Sequence, residues 1–258
     1  MTQGFDVPLR GAAAMLARNR DVYLKTWKTN FVAPLVEPLL YLLSFGYGLG
    51  MLVKGGVGGV SYKQFVAPAI LSITMMQSAF FETTYGSFVR MHFQKTWEAV
   101  TATPLLLDDV LVGEVAWAAS KSAINCAVMS LVVAAFGLMP WSAIPLVALV
   151  AFLVGLLFAG LGLAICATVP NIDSFQFSIY LLVTPMMLFA GTFFPLQQLP
   201  SWAQAVAQAL PLTHAVLVTR PLVYGTGTIP WISLLYLAGV GIALCALAIR
   251  LMKRKLLA

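Results

Sequence analysis

The stretch SAINCAVMSLVVAAFGLMPWSAIPLVALVAFLVGLLFAGLGLAICATVPNI, Ser122 to Ile172, contains no charged residue. Lys121 closes it on one side and Asp173 on the other, and the following run, Ser174 to Thr219, is also uncharged. A soluble domain needs a charged outer surface and cannot carry two such tracts. Only 9% of the chain is charged and 60% is hydrophobic, whereas soluble domains are roughly 25% charged. A helix needs about 20 mostly apolar residues to cross the hydrocarbon core. Backbone satisfaction allows only helices or a closed barrel to span. Barrel strands would alternate over about ten residues, and these runs are continuous. The pattern predicts an all-α integral membrane protein.

Six transmembrane helices are expected within a single domain, residues 1–258. The spans fall near residues 30–52, 64–88, 110–136, 141–167, 174–194 and 229–251. Lys and Arg set orientation, because cytoplasmic loops carry the excess. With the N-terminus inside, Arg10 through Lys28, Arg90, Lys95 and Arg250 through Lys255 are all cytoplasmic. Lys54, Lys63 and Arg220 fall outside, and Lys121 lies within a span. Both termini are therefore expected in the cytoplasm. Residues 1–29 hold an amphipathic segment, with Leu9, Ala13, Leu16, Tyr23 and Trp27 on one face. It reads as a helix lying in the cytoplasmic interface, or as a simple topology anchor. Residues 54–63, KGGVGGVSYK, suit a flexible outer hairpin.

Several functions are excluded or disfavoured. The net charge of +6 clusters beside hydrophobic segments, which is a topology signal rather than a nucleic-acid one. Cys126, Cys166 and Cys245 fall in apolar tracts without metal spacing, and read as small buried side chains. His92 and His214 fall on opposite sides of the membrane, so no metal site is expected. The chain has no G-x-x-x-x-G-K-[ST], so it should bind no nucleotide or other cofactor of its own. It lacks H-E-x-x-H and G-x-S-x-G as well. A membrane-embedded lipid-modifying enzyme would cluster His, Asp or Ser at one depth, and no catalytic residue is assigned. A passive channel or scaffold would not require a cytoplasmic docking helix.

Three groups of residues could carry function. In the loop between the second and third spans, Phe93, Trp97 and Val100 recur at helical spacing, flanked by Arg90, Lys95 and Glu98. That is either a docking knob or an interfacial helix anchored by Trp97. Within the spans, Glu37, Glu82, Glu114 and Lys121 fall in the inner half, and Lys121 is expected to pair with Glu37 or Glu82. They form either a polar vestibule for a headgroup or a structural ion pair. Residues 195–228 place Leu199, Trp202, Val206 and Leu210 on one apolar face, punctuated by Pro195, Pro200, Pro211 and Pro221. Two short helices dipping into the outer leaflet and returning would fit, and so would a surface amphipathic helix. Asp173 reads as a helix cap, and Asp108 and Asp109 as matches to a helix dipole. Met186, Met187, Phe189, Phe193 and Phe194 offer adaptable contact for an acyl chain, or ordinary packing. Gly46, Gly48 and Gly50, and Gly155, Gly160 and Gly162, allow close helix approach.

With these residues in view, the chain resembles the type-2 ABC exporter permeases (ABC-2 type), and within them the NodJ-like lipooligosaccharide branch. The matching stretches are EPLLYLLSFGYGLG (Glu37–Gly50), FETTYGSFVRM (Phe81–Met91) and KTWEAVTATPL (Lys95–Leu105). DDVLVGEVAWAASKS (Asp108–Ser122), TPMMLFAGTFFPLQQLP (Thr184–Pro200) and LPLTHAVLVTRP (Leu210–Pro221) complete the set. The resemblance implies a homodimer in a bacterial inner membrane, working with two copies of a separate P-loop ATP-binding subunit that holds ATP and Mg. It implies that Arg90, Phe93, Gln94, Lys95, Thr96, Trp97 and Glu98 form the contact with that ATPase. Phe193, Phe194, Pro195, Leu199, Pro200 and Trp202, with Leu210, Pro211, His214 and Arg220, would form the re-entrant exit. The implied cargo is an amphiphilic glycolipid or lipo-oligosaccharide; drugs or other lipids are the alternative for the same architecture.

Overall fold

The computed structural model describes residues 9–26, 36–52, 56–57, 59–226 and 228–257. In chain order the helices are α1 (Leu9–Lys25), α2 (residues 36–52), α3 (Tyr62–Phe93), α4 (Thr96–Thr101) and α5 (Leu107–Ala135). They continue as α6 (Trp141–Thr168), α7 (Ile172–Phe189), α8 (Ser201–Ala209), α9 (Pro211–Tyr224) and α10 (Trp231–Leu257). No β-strand occurs among the described residues. Five of these helices are long and apolar enough to span a bilayer, and α8 with α9, bent by 83° between them, would make a sixth. The protein is an all-α membrane protein. The start of the first expected span, Trp27 and Lys54 lie outside the described residues.

The uncharged tract makes the centre. Helix α6 is apolar on every side, as a helix surrounded by protein and lipid should be. It packs against α10, α5 and α3. Small residues make these approaches possible. A Cβ at Gly155 would lie 2.8 Å from Ser122 Cβ on α5, and one at Gly160 would lie 2.8 Å from the Cys245 backbone nitrogen on α10. One at Gly162 would lie 2.9 Å from the Phe80 carbonyl oxygen on α3. The three glycines thus serve contacts within this chain. Gly48 on α2 has no such neighbour within 4 Å among the described residues. Ser122 ties the same region together, donating to the Met75 and Ala151 carbonyls at 2.9 and 3.1 Å.

Local signals set the helix ends. Ser61 and Gln64 form a reciprocal cap at the start of α3. At the start of α5, Asp109 accepts from the Leu106 backbone N–H at 2.9 Å, while Asp108 pairs with Lys253 of α10 at 2.7 Å. Lys255 donates to the Cys166 and Val169 carbonyls at the C-terminus of α6, where a cation also matches the helix dipole. At α7 the cap is Asn171, which accepts from the Ser174 N–H at 3.0 Å. Asp173, expected to cap this helix, sits inside the first turn instead.

The amphipathic face of α1 is rotated from its expected position, while the apolar face of α8 turns outward. The face that α1 buries is Ala12, Met15, Asn19 and Tyr23, while Ala13 is exposed and Leu16 only half-buried. Gly113 on α5 is the reason. A Cβ there would lie 2.5 Å from Met15 Cβ, so the two helices meet backbone to side chain. On α8 the buried side is Ala203 and Ala207, and Trp202 and Val206 face outward. Small residues again take the protein side, leaving the large apolar ones for lipid.

Candidate functional site

Helix α3 does not end near residue 88 but continues to Phe93 through two π-helical stretches, Glu82–Gly86 and Val89–Phe93. Such wider turns are frequent at functional sites. Their effect here is to aim Glu82, Ser87 and Arg90 at α5 and α1. Arg90 donates to Glu82 at 2.8 Å and to Glu114 at 2.5 Å. Lys121 reaches the other Glu82 oxygen at 2.7 Å. Ser87 and Asn19 also donate to Glu114, at 2.8 and 3.2 Å. Asn19 Oδ1 accepts from Arg18 at 2.9 Å, and Arg18 reaches Thr96 Oγ1 on α4 at 3.4 Å. A continuous polar chain therefore runs from Thr96 through Arg18, Asn19, Glu114, Arg90 and Glu82 to Lys121. Burial is the first cause that pulls the Arg18 guanidinium below its ordinary pKa, with the neighbouring Arg90 adding to it and Glu114 opposing. Burial, then Glu82, pushes the Tyr23 phenol up.

Of the two partners expected for Lys121, the structure supplies Glu82. Glu37 stands apart, accepting from Tyr41 Oη at 3.1 Å and lying 3.5 Å from the Gln77 amide. Arg90, grouped by the sequence with the docking loop, belongs to the buried network, because the extended α3 turns it inward. Trp97 is only 2% exposed, whereas Phe93 is 67% exposed. The expected Phe93–Trp97–Val100 ridge is not formed. Lys95 takes a left-handed conformation (φ 52°) and breaks the helix between the two rings. The exposed surface here is Phe93, Gln94 and the Lys95–Glu98 pair, closed at 2.7 Å, and Trp97 anchors α4 from beneath.

Three cavities share walls along one side of the molecule. The first, ≈ 370 Å³, opens beside α1 between Arg18, Tyr23, Arg90, Trp117 and Lys121. It meets a second of ≈ 240 Å³ at Glu82, Gly86 and Lys121. The second carries the amides of Gln77 and Asn125 and meets a third at Glu37, Gln77 and Phe81. The third, ≈ 380 Å³, is lined by Tyr41, Phe45, Val183, Met187 and Phe193. The track passes from charged, through amide, to aromatic and sulfur surface. Sequence reasoning missed Asn19, Gln77, Gly86 and Asn125. Asn19 had a signal, since it lies three residues from Leu16 and four from Tyr23 on an otherwise apolar stripe.

At the far end, Arg220 donates to the Gly191 carbonyl at 2.6 Å and lies 4.4 Å over the Phe65 ring. Tyr62 Oη donates to the Phe193 carbonyl at 3.0 Å. Those two bonds hold the turn that follows α7 and bring Phe193 within 4.6 Å of Phe45, centroid to centroid. His214 stacks on Tyr236 at 4.0 Å and lies 3.1 Å from Ser233. Leu210 is the corner between α8 and α9, and Pro211 opens α9. Phe194, Pro195 and Leu199 are half-buried in the preceding segment, and Pro200 is exposed.

A family model described as ABC-2 type transporter matches residues 11–224. Nodulation protein J of Rhizobium leguminosarum bv. trifolii is 41% identical over 212 residues, covering 82% of this chain and 80% of that protein. Nodulation protein J of Rhizobium meliloti (strain 1021) is 36% identical over 224 residues, covering 83% and 85%. The inner membrane transport permease YadH of Escherichia coli (strain K12) is 23% identical over 214 residues, 82% of each chain.

Proposed function

The chain belongs to the ABC-2 type transporter family, and from that premise we propose that it is the permease of an exporter for an amphiphilic glycolipid or lipo-oligosaccharide. The observation that carries the cargo class is the three-cavity track, charged at the α1 end and aromatic at the α8–α9 end. A headgroup finds hydrogen-bonding side chains at one end, and an acyl chain finds Met187, Phe45 and Phe193 at the other. Met and aromatic side chains adapt to variable apolar shapes.

The permease works as a homodimer in a bacterial inner membrane, each copy engaged by one separate ATP-binding subunit that carries ATP and Mg. The α1 end faces the cytoplasm, since Lys and Arg concentrate there. Phe93, Gln94, Lys95 and Glu98 are the exposed side chains offered to the ATPase. Movement of α4 on nucleotide closure reaches the track through Thr96, Arg18 and Asn19, because these are joined by hydrogen bonds to the Glu114–Arg90–Glu82 network.

Co-purification from native membranes in mild detergent tests this reading. A soluble P-loop protein at one-to-one stoichiometry, with ATP hydrolysis stimulated by an amphiphilic glycolipid, is the expected result. A permease that purifies alone and confers no ATP hydrolysis would overturn it.

A further inference from the structure

The cavity beside α1 carries unequal charge. Three cations bound or adjoin it, Arg18, Arg90 and Lys121, against two carboxylates, Glu82 and Glu114. Arg90 and Lys121 are consumed by those carboxylates at 2.5–2.8 Å. The nearby exposed pairs Arg20–Asp21 and Lys95–Glu98 are each internally neutral. One positive charge is therefore left over, and it sits on Arg18 at the mouth. No carboxylate lies within ion-pair distance of Arg18 among the described residues. Its guanidinium offers five N–H donors and, among the described residues, spends them on Asn19 and, at 3.4 Å, on Thr96. A second polar group is idle in the same wall. Tyr23 is 8% exposed, and its hydroxyl has no hydrogen-bond partner among the described residues. Its ring packs edge-on against Trp117 at 5.5 Å, so the wall beside the cation is aromatic.

We propose that this cavity binds a single oxyanion of one negative charge, held by Arg18 and the Tyr23 hydroxyl, and that the cargo headgroup carries it as a phosphodiester, sulfate or carboxylate. The inference rests on the amphiphile-export reading and narrows it, because an uncharged headgroup would leave Arg18 unsatisfied. One negative charge brings the site to neutrality. Two would have to displace Glu82 or Glu114 from partners already within 2.8 Å. The cavity opens onto the amide-lined chamber at Gly86, so a headgroup held by Arg18 is already on the track.

Native mass spectrometry of the purified permease in a neutral detergent tests this. The probes are short-chain phosphatidylglycerol (one negative charge), short-chain phosphatidylcholine (zwitterionic), a neutral alkyl glucoside and inorganic phosphate alone. One phosphatidylglycerol per chain is expected, bound about tenfold more tightly than phosphatidylcholine, the scale of one charge-assisted hydrogen bond. Arg18→Gln should remove that preference, and Arg18→Lys should keep most of it. Val22→Glu, at an exposed position on the cavity rim, supplies the missing negative charge from within and should also remove it without touching the network. Phosphate binding as tightly as the lipid would support the oxyanion site and assign its ligand as the free ion. Equal binding of the glucoside and phosphatidylglycerol, or an Arg18→Gln chain with unchanged preference, would overturn the inference while leaving amphiphile export standing. Failure of every amphiphile to bind would instead count against the export reading itself.

Discussion

Glu114 has no exposed surface, yet Arg90, Ser87 and Asn19 all converge on it. A buried carboxylate so placed is stabilised by its donors and leaves a costly orphan when they or it are removed. Glu114→Leu should destabilise the permease by about 3–5 kcal/mol, read as a lower thermal midpoint in detergent. Adding Arg90→Leu should cost less than the two single losses summed, because the pair acts as one unit. A fully additive pair would show that they do not interact. At this scale the sequence was partly legible. Lys121 lies in an apolar helix and demanded an acidic partner, which proved to be Glu82. Arg90 was not legible, because nothing in FETTYGSFVRM announces that two π-helical stretches carry the helix past residue 88. Glu37 was read as a further possible partner for Lys121, but Tyr41 and Gln77 satisfy it, and neutral partners leave no charge pattern to find.

Helix α4 shows why spacing alone misled. Phe93 and Trp97 are four residues apart, but the left-handed Lys95 between them sends one ring out and the other in. The two rings should therefore separate on mutation. Trp97→Ala should cost about 3–5 kcal/mol of stability, as for other buried large-to-small changes, and release α4 from the core. Phe93→Ala with Lys95→Glu should leave the thermal midpoint unchanged and weaken association with the ATPase, measured as a rise in Kd. If the Phe93 and Lys95 variant binds normally, this surface is not the docking face. Helix α6 was the easiest element to foresee, since its unbroken apolar run permits nothing but a span. The use of its glycines was not, because the sequence does not say whether a small face meets a neighbour in the same protomer or in a second copy. Gly160→Leu should reduce folded yield by forcing α10 away from α6, where a backbone nitrogen leaves no room to yield.

Across the whole molecule the charges divide by end. Lys253, Lys255, Arg18 and Lys95 gather with α1 and α4, while Trp202 and Trp231 are exposed at the other end. A cysteine at Gln198, an exposed polar position just before α8, should react with an impermeant maleimide on intact cells, and one at Lys95 only after permeabilisation. The reverse pattern would invert the topology. All-α architecture and the bent pair before the last helix were legible because hydrocarbon length and proline positions constrain them. The track was not, since it depends on the rotation of α1, which periodicity fixed incorrectly, and on the π-helical turns of α3. Gln77 stands at the junction of the amide and aromatic chambers, and Ile242 lines a separate apolar groove between α5, α6 and α10. The most direct measurement places a photoreactive benzoylphenylalanine at either position in the permease–ATPase complex in proteoliposomes, with a fluorescent lipo-oligosaccharide as cargo. Cross-linking at position 77 that rises with ATP turnover, and none above background at 242, is the predicted result. Labelling confined to 242, or independent of ATP at both, would contradict passage of cargo along the track.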